Sequence, residues 1–184
     1  MEIRATFDQI KAAQVTAKLI NLGGQRSMDK LTLVKLLYLV DRQAFQEKGR
    51  PIIGGTYFSM PHGPVTSQVL DCMNFGEEAG WGLWEKHFRL EGPHSIAVAS
   101  DPGDDALSRH DLKIIDEVYK AHGHKSPLEI RDFTHTLPEY EDPEGSSIEI
   151  PLERLLLATG RTLEDAKRIL IEMDGVQFLS VAAR

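Results

Sequence analysis

The chain has 184 residues, 41% of them hydrophobic and 27% charged, with a formal net charge of -7. That length suits one compact domain, which buries roughly 70% of the surface its unfolded chain exposes and needs no covalent staple. The composition excludes disorder as the main state, and no window approaches the roughly 18 uninterrupted apolar residues of a membrane-spanning helix.

The single cysteine, Cys72, excludes an intrachain disulfide and a Cys-rich zinc module. The stretch from Met1 to Asp8 has no basic region leading into an apolar run, so it does not read as a signal peptide. The expectation is a soluble cytoplasmic protein. Acidity disfavours direct nucleic-acid binding, which needs Lys and Arg to neutralise phosphates. It suits a basic protein partner, although mild acidity more commonly serves solubility alone.

Phe7, Ile10, Ala13, Ala17 and Ile20 repeat at helical spacing and predict a helix over 7–22. Thr6 and Gln9 have the form of a capping box, and Gly23-Gly24 ends the run. A second helix is predicted over 27–48, with Ser27 as its cap and Gly49 and Pro51 closing it. Its apolar sector, from Leu31 through Leu33, Leu36, Leu37, Leu39, Val40 and Ala44, is wide enough for a central position. Residues 52–60 read as extended. Pro61-His62-Gly63-Pro64 reads as a rigid turn, with a helix from Val65 to about Phe75.

Alternation in 88–90 and 96–98 around Glu91-Gly92-Pro93-His94 predicts a β-hairpin. Ser108 with Asp111, and Ser126-Pro127 with Glu129, are capping boxes for two later helices. Ile148-Glu149-Ile150 reads as a short strand, Pro151 as the start of a short helix, and Thr162 with Asp165 as the cap of a last helix.

Residue chemistry alone yields no convincing active site. Gly23-Gly24 and Gly54-Gly55 fit neither phosphate-binding glycine pattern, and no G-x-S-x-G is present. His122 and His124 read as a solvated helix-end pair rather than metal ligands. Cys72 reads as a small buried hydrophobe between Leu70 and Met73. Glu139, Glu141, Asp142 and Glu144 read as a solvated acidic run. No cofactor is expected.

Two segments go further. The first joins Lys30 to Leu39, with Lys35, Leu36, Leu37 and Tyr38, to Thr56 through Val65, with His62, Gly63, Pro64 and Val65. The second joins the helix beginning Leu107-Ser108 to Ser126 through His135, ending in Thr134-His135. This ordered set resembles the Panacea domain of the SocA-like antitoxins, over residues 7–140. Family members commonly carry a tryptophan shortly after the T-H pair, where this chain has Tyr140. The segment from Trp81 to Ser100, taken as one hairpin region, also looks longer than that family's core requires.

The resemblance implies a binding protein: an antitoxin that neutralises a cognate protein toxin by direct contact. Some members of that family instead deliver the toxin to a AAA+ protease, and toxins of such modules include alarmone-synthetase-like enzymes that modify tRNA. A small enzyme using His62, His135 and an acidic residue is the remaining alternative. The expected fold is α+β: a mostly helical single domain over 1–184 with a small antiparallel β-sheet or hairpin, and a C-terminal helical extension over 141–184. The motif residues Lys35, Leu36, Leu37, Tyr38, His62, Gly63, Pro64, Val65, Thr134 and His135 are read mainly as fold determinants. His62 and His135 are expected on the same side of the domain. Trp81, Trp84, Phe88 and Tyr140 are the candidate partner contacts, because aromatics are enriched at interface centres.

Overall fold

The computed structural model describes residues 3–75 and 81–182, without the side chains of residue 81 and of 176–182. It is an α+β arrangement of eight helices and two small antiparallel sheets among these residues. Helix α1 (Gln9–Leu22) is capped by Asp8, whose carboxylate accepts from Lys11 N, rather than by Thr6. The reason is tertiary: Asp8 N donates to Ile53 O at 2.8 Å, which holds residue 8 extended and starts the helix after it.

Strand β1 (Ser27–Asp29) occupies what the sequence suggests is the first turn of the second helix. It pairs with a strand nearly seventy residues later, so local capping rules do not reveal it. Helix α2 (Lys30–Lys48) therefore begins three residues late, capped by Asp29, which accepts from Leu31 N and Thr32 N. Gly49 closes it at φ 71, a left-handed cap that glycine adopts at little cost.

Strands β2 (Tyr57–Met60) and β3 (Gly63–Thr66) form a hairpin with Pro61-His62 at its tip. Pro64 thus lies in a strand, not at a helix start, and β3 is an edge strand, where a missing N–H is tolerated. Helix α3 (Ser67–Met73) follows. Residues 81–87, expected within the hairpin region, form helix α4 (Trp81–His87). The hairpin proper is β4 (Phe88–Glu91) with β5 (Ser95–Val98).

Helices α5 (Arg109–His122) and α6 (Pro127–His135) both carry the reciprocal capping boxes that their sequences encode. Strand β6 (Ile148–Glu149), helix α7 (Leu152–Ala158), with Pro151 as its N-cap, and helix α8 (Leu163–Ala182) complete the described chain. The two sheets are ordered β1-β5-β4 and β3-β2-β6, where a single small sheet was expected.

Helix α2 is central. It contacts α1, α3, α5, α6 and α7 as well as β1 and β3. Leu33, Leu36, Leu37, Tyr38, Val40, Ala44 and Phe45 are all buried on it, which is why its apolar residues run round so much of the helix.

Candidate functional site

The motif segments meet around one buried lysine. Lys35, fully buried in the middle of α2, donates from Nζ to the Pro64 carbonyl at 2.9 Å. Burial lowers the Lys35 pKa to about 7, because a low-dielectric surround disfavours the ammonium. Across the same turn, Gly63 sits at φ 94, and a Cβ there would lie 2.6 Å from Thr134 Oγ1, 3.1 Å from His135 Cδ2 and 3.2 Å from Lys35 Nζ. The backbone at Gly63 is therefore pressed between α2 and the end of α6, with no room for a side chain at that residue. Thr134 is buried, and its hydroxyl donates to Arg131 O.

His135 stacks flat on Tyr140, with ring centroids 4.5 Å apart and planes 5° from parallel. Tyr140 donates from its hydroxyl to Met60 O, closing the layer over the β2–β3 tip. Desolvation, with the nearby Lys35 charge, lowers the His135 pKa. His135 Nε2 is buried with no hydrogen-bond partner. Since His135 packs on Gly63, and His62 is the residue before it, both histidines stand at the same turn.

Two further buried polar knots hold α2. Glu139 is fully buried and accepts from Tyr38 Oη at 2.9 Å and from Arg42 Nε at 2.6 Å. The acidic run is thus not uniformly solvated: its first member belongs to the core, while Glu141 is exposed and pairs with Arg154. Asp41 is also fully buried. It accepts from Ile52 N, Ile53 N, Gly54 N and Tyr57 Oη, at 2.8–2.9 Å. Burial raises its pKa to about 6 even though these four donors favour the charged form. A lone acid inside an apolar helical run, a dozen residues before a Gly-Gly pair, is the signal that marks it.

Beside the turn lies an open groove of about 360 Å³, walled by α2, the β2–β3 tip, α3, the β4–β5 tip and the start of α6. Its lining is mostly apolar, from Leu31, Val34, Met60, Val65, Leu70 and Pro127. The titratable groups that reach it are Asp29, Lys30, Lys35, His62 and His94.

Lys35, Leu36, Leu37, Tyr38, Gly63, Pro64, Val65 and Thr134 are buried, while His62 is exposed on the groove. The aromatic candidates divide differently. Trp84 and Phe88 are 3% and 2% exposed and pack on each other in a tilted contact, with ring centroids 4.3 Å apart, so neither is presented to a partner in this conformation. They sit on consecutive elements, α4 and β4, and cover the core there. Tyr140 is half-buried, with one ring face on His135. The side chain of Trp81 lies outside the described residues. His122, expected to be solvated, is half-buried against Phe133, and its Nδ1 has no partner. Cys72 is buried. Among the described residues, no group of three or more His, Cys, Asp or Glu is placed to hold a metal ion. No described helix is long and apolar enough to cross a membrane.

Residues 33–140, more than half of the chain, match the family model described as antitoxin SocA-like, Panacea domain. No curated protein and no solved structure matches the chain. The chain belongs to the SocA-like Panacea family, and its ten motif residues, from Lys35 to His135, all fall inside the matched segment.

Proposed function

We propose that this Panacea-domain chain is the antitoxin of a toxin–antitoxin module and neutralises a cognate protein toxin by binding it, with no chemistry of its own. The family match over 33–140 carries this reading. The geometry supports it. Three polar motif side chains bond within the chain, Lys35 to Pro64, Tyr38 to Glu139 and Thr134 to Arg131, which is how a scaffold uses them. A stable specific complex buries on the order of 1,200–2,000 Å² in total, so the toxin must cover a sizeable part of the surface.

Co-expression with the product of the adjacent reading frame tests the proposal. Restored growth together with a purifiable complex is the expected result. Restoration only while a AAA+ protease is intact identifies the chain as a delivery adaptor instead. No restoration, with turnover of a small metabolite by the purified chain, overturns the binding reading.

A further inference from the structure

The groove beside the G-P-V turn has a polarity opposite to that of the chain as a whole. The chain carries a net charge of -7. The ionisable side chains that reach the groove are two lysines and two histidines against one acid, Asp29. Asp29 is committed: its carboxylate accepts from Leu31 N and Thr32 N in the first turn of α2. Lys35 lies under the apolar lining, and its one hydrogen bond, to Pro64 O, uses one of the three donors of an ammonium. His62 and His94 are exposed on the two hairpin tips that border the groove. The second tip is held in place, because Lys30 N donates to His94 O at 2.7 Å. Leu128, the residue after Pro127 on α6, is a large apolar side chain 58% exposed.

An apolar trough bordered by two lysines and two imidazoles, with one committed acid, on an otherwise acidic protein selects for a particular complement. We propose that this groove is the toxin-docking site, and that it receives an apolar segment of the toxin carrying an aspartate or glutamate side chain. The proposal rests on the antitoxin reading above. The apolar residues of the segment cover Leu31, Val34, Val65 and Leu70, and its carboxylate lies toward Lys35 and the two histidines. Charge complementarity of this kind excludes wrong partners more than it adds raw affinity. The rest of the acidic surface repels the same segment, so the groove also fixes where on the chain it binds.

The test uses the full chain and the purified, catalytically inactivated product of the adjacent reading frame. His62→Glu with His94→Glu places carboxylates at two exposed positions of the rim, and Lys113→Glu on α5, outside the groove, is the control. The double variant is expected to bind the toxin about tenfold more weakly or worse, equivalent to ~1.4 kcal/mol or more. Its melting temperature stays near that of the unaltered chain, and the control binds normally. A folded double variant that binds as tightly as the unaltered chain overturns the groove while leaving the antitoxin reading standing. Failure of the unaltered chain to bind or neutralise the toxin overturns both. A photo-cross-linking residue in place of His94 gives a second measurement that needs no added carboxylate. Attachment to a toxin segment containing Asp or Glu supports the proposal. Attachment to a second copy of the chain, or to a segment without an acid, overturns it.

Discussion

Lys35 Nζ donates to the Pro64 carbonyl at 2.9 Å, joining residues 29 positions apart in the interior of the molecule. That contact links the lysine of the central helix to the proline of the G-P-V strand. Pro64 has no N–H to offer, and its carbonyl is fixed by the lysine instead.

The buried ammonium makes stability depend on pH in a definite sense. The folded pKa is about 7 and the ordinary value is 10.5, so between these limits the unfolded chain binds more protons. Stability therefore rises as pH increases above 7, with a slope approaching ~1.4 kcal/mol per pH unit from this one proton. Burial raises the Cys72 pKa to about 12, so ionisation of the unfolded thiol opposes the trend above pH 9. Urea melts from pH 7 to 9 are expected to show the rise in the unaltered chain and a flatter profile in Lys35→Met. Equal slopes would mean that Lys35 is not buried as an isolated cation.

Gly63→Ala tests the tightness of the same junction. The new methyl meets Thr134 Oγ1 and His135 Cδ2, on a backbone held at φ 94 that L side chains rarely adopt. Overpacking and left-handed strain together should cost about 2–4 kcal/mol. Gly92→Ala is the comparison, since it also has a positive φ but nothing within 4 Å of its Cβ, and should cost about 1 kcal/mol. Equal losses in chemical denaturation would show that α6 does not press on the turn.

Much of this architecture is legible from local signals. Ser108 with Asp111 and Ser126 with Glu129 are both observed capping boxes, because each is complete within four residues. The 88–98 hairpin is likewise encoded by its own alternation and turn. What escapes local reading depends on distant partners. Ser27 is drawn into a strand by Ala97, Asp8 is set as a cap by Ile53, and Pro64 is drawn into a strand by Ser59. Glu139 looks like one acid among several until Tyr38 and Arg42 are placed beside it. The groove has no sequence signature, because its lining comes from five separate stretches.

His122 supplies an acid-sensitive contact. Its ring packs on Phe133 at 4.5 Å, and burial, with the charges of Lys125 and His124, lowers its pKa to about 4. The unfolded histidine takes up its proton near 6.5, so this residue's contribution is lost as pH falls from about 6.5 to 4. Asp41 acts in the opposite sense over much of that window, because its folded pKa is raised to about 6. The informative quantity is therefore the difference between the unaltered chain and His122→Phe. That difference should move in favour of the variant as pH drops from 6.5 to 4.5. A pH-independent difference would place the ring in water.

Asp41 should be the most damaging single polar position. Its two oxygens accept three backbone N–H groups of residues 52–54 and the Tyr57 hydroxyl, all buried. Asp41→Ala leaves four donors without an acceptor, each costing roughly 1–3 kcal/mol when desolvated, against a gain from no longer burying the carboxylate. A net loss on the order of 4 kcal/mol is expected, enough to unfold a domain of ordinary stability near 37 °C. Asp41→Asn keeps one acceptor oxygen and presents an amide N–H₂ where Gly54 N requires an acceptor, while the Tyr57 hydroxyl can turn to accept from that amide, so it should fall between alanine and the unaltered chain. Tyr57→Phe removes one donor and leaves the three backbone bonds, with its ring still edge-on to Tyr38 and Phe45. Its loss should be about 1 kcal/mol. Denaturant midpoints of the three variants should rank Tyr57→Phe above Asp41→Asn above Asp41→Ala. An Asp41→Ala protein as stable as Tyr57→Phe would show that residues 52–54 do not depend on the carboxylate, and the entry of the chain into β2 would then need another anchor.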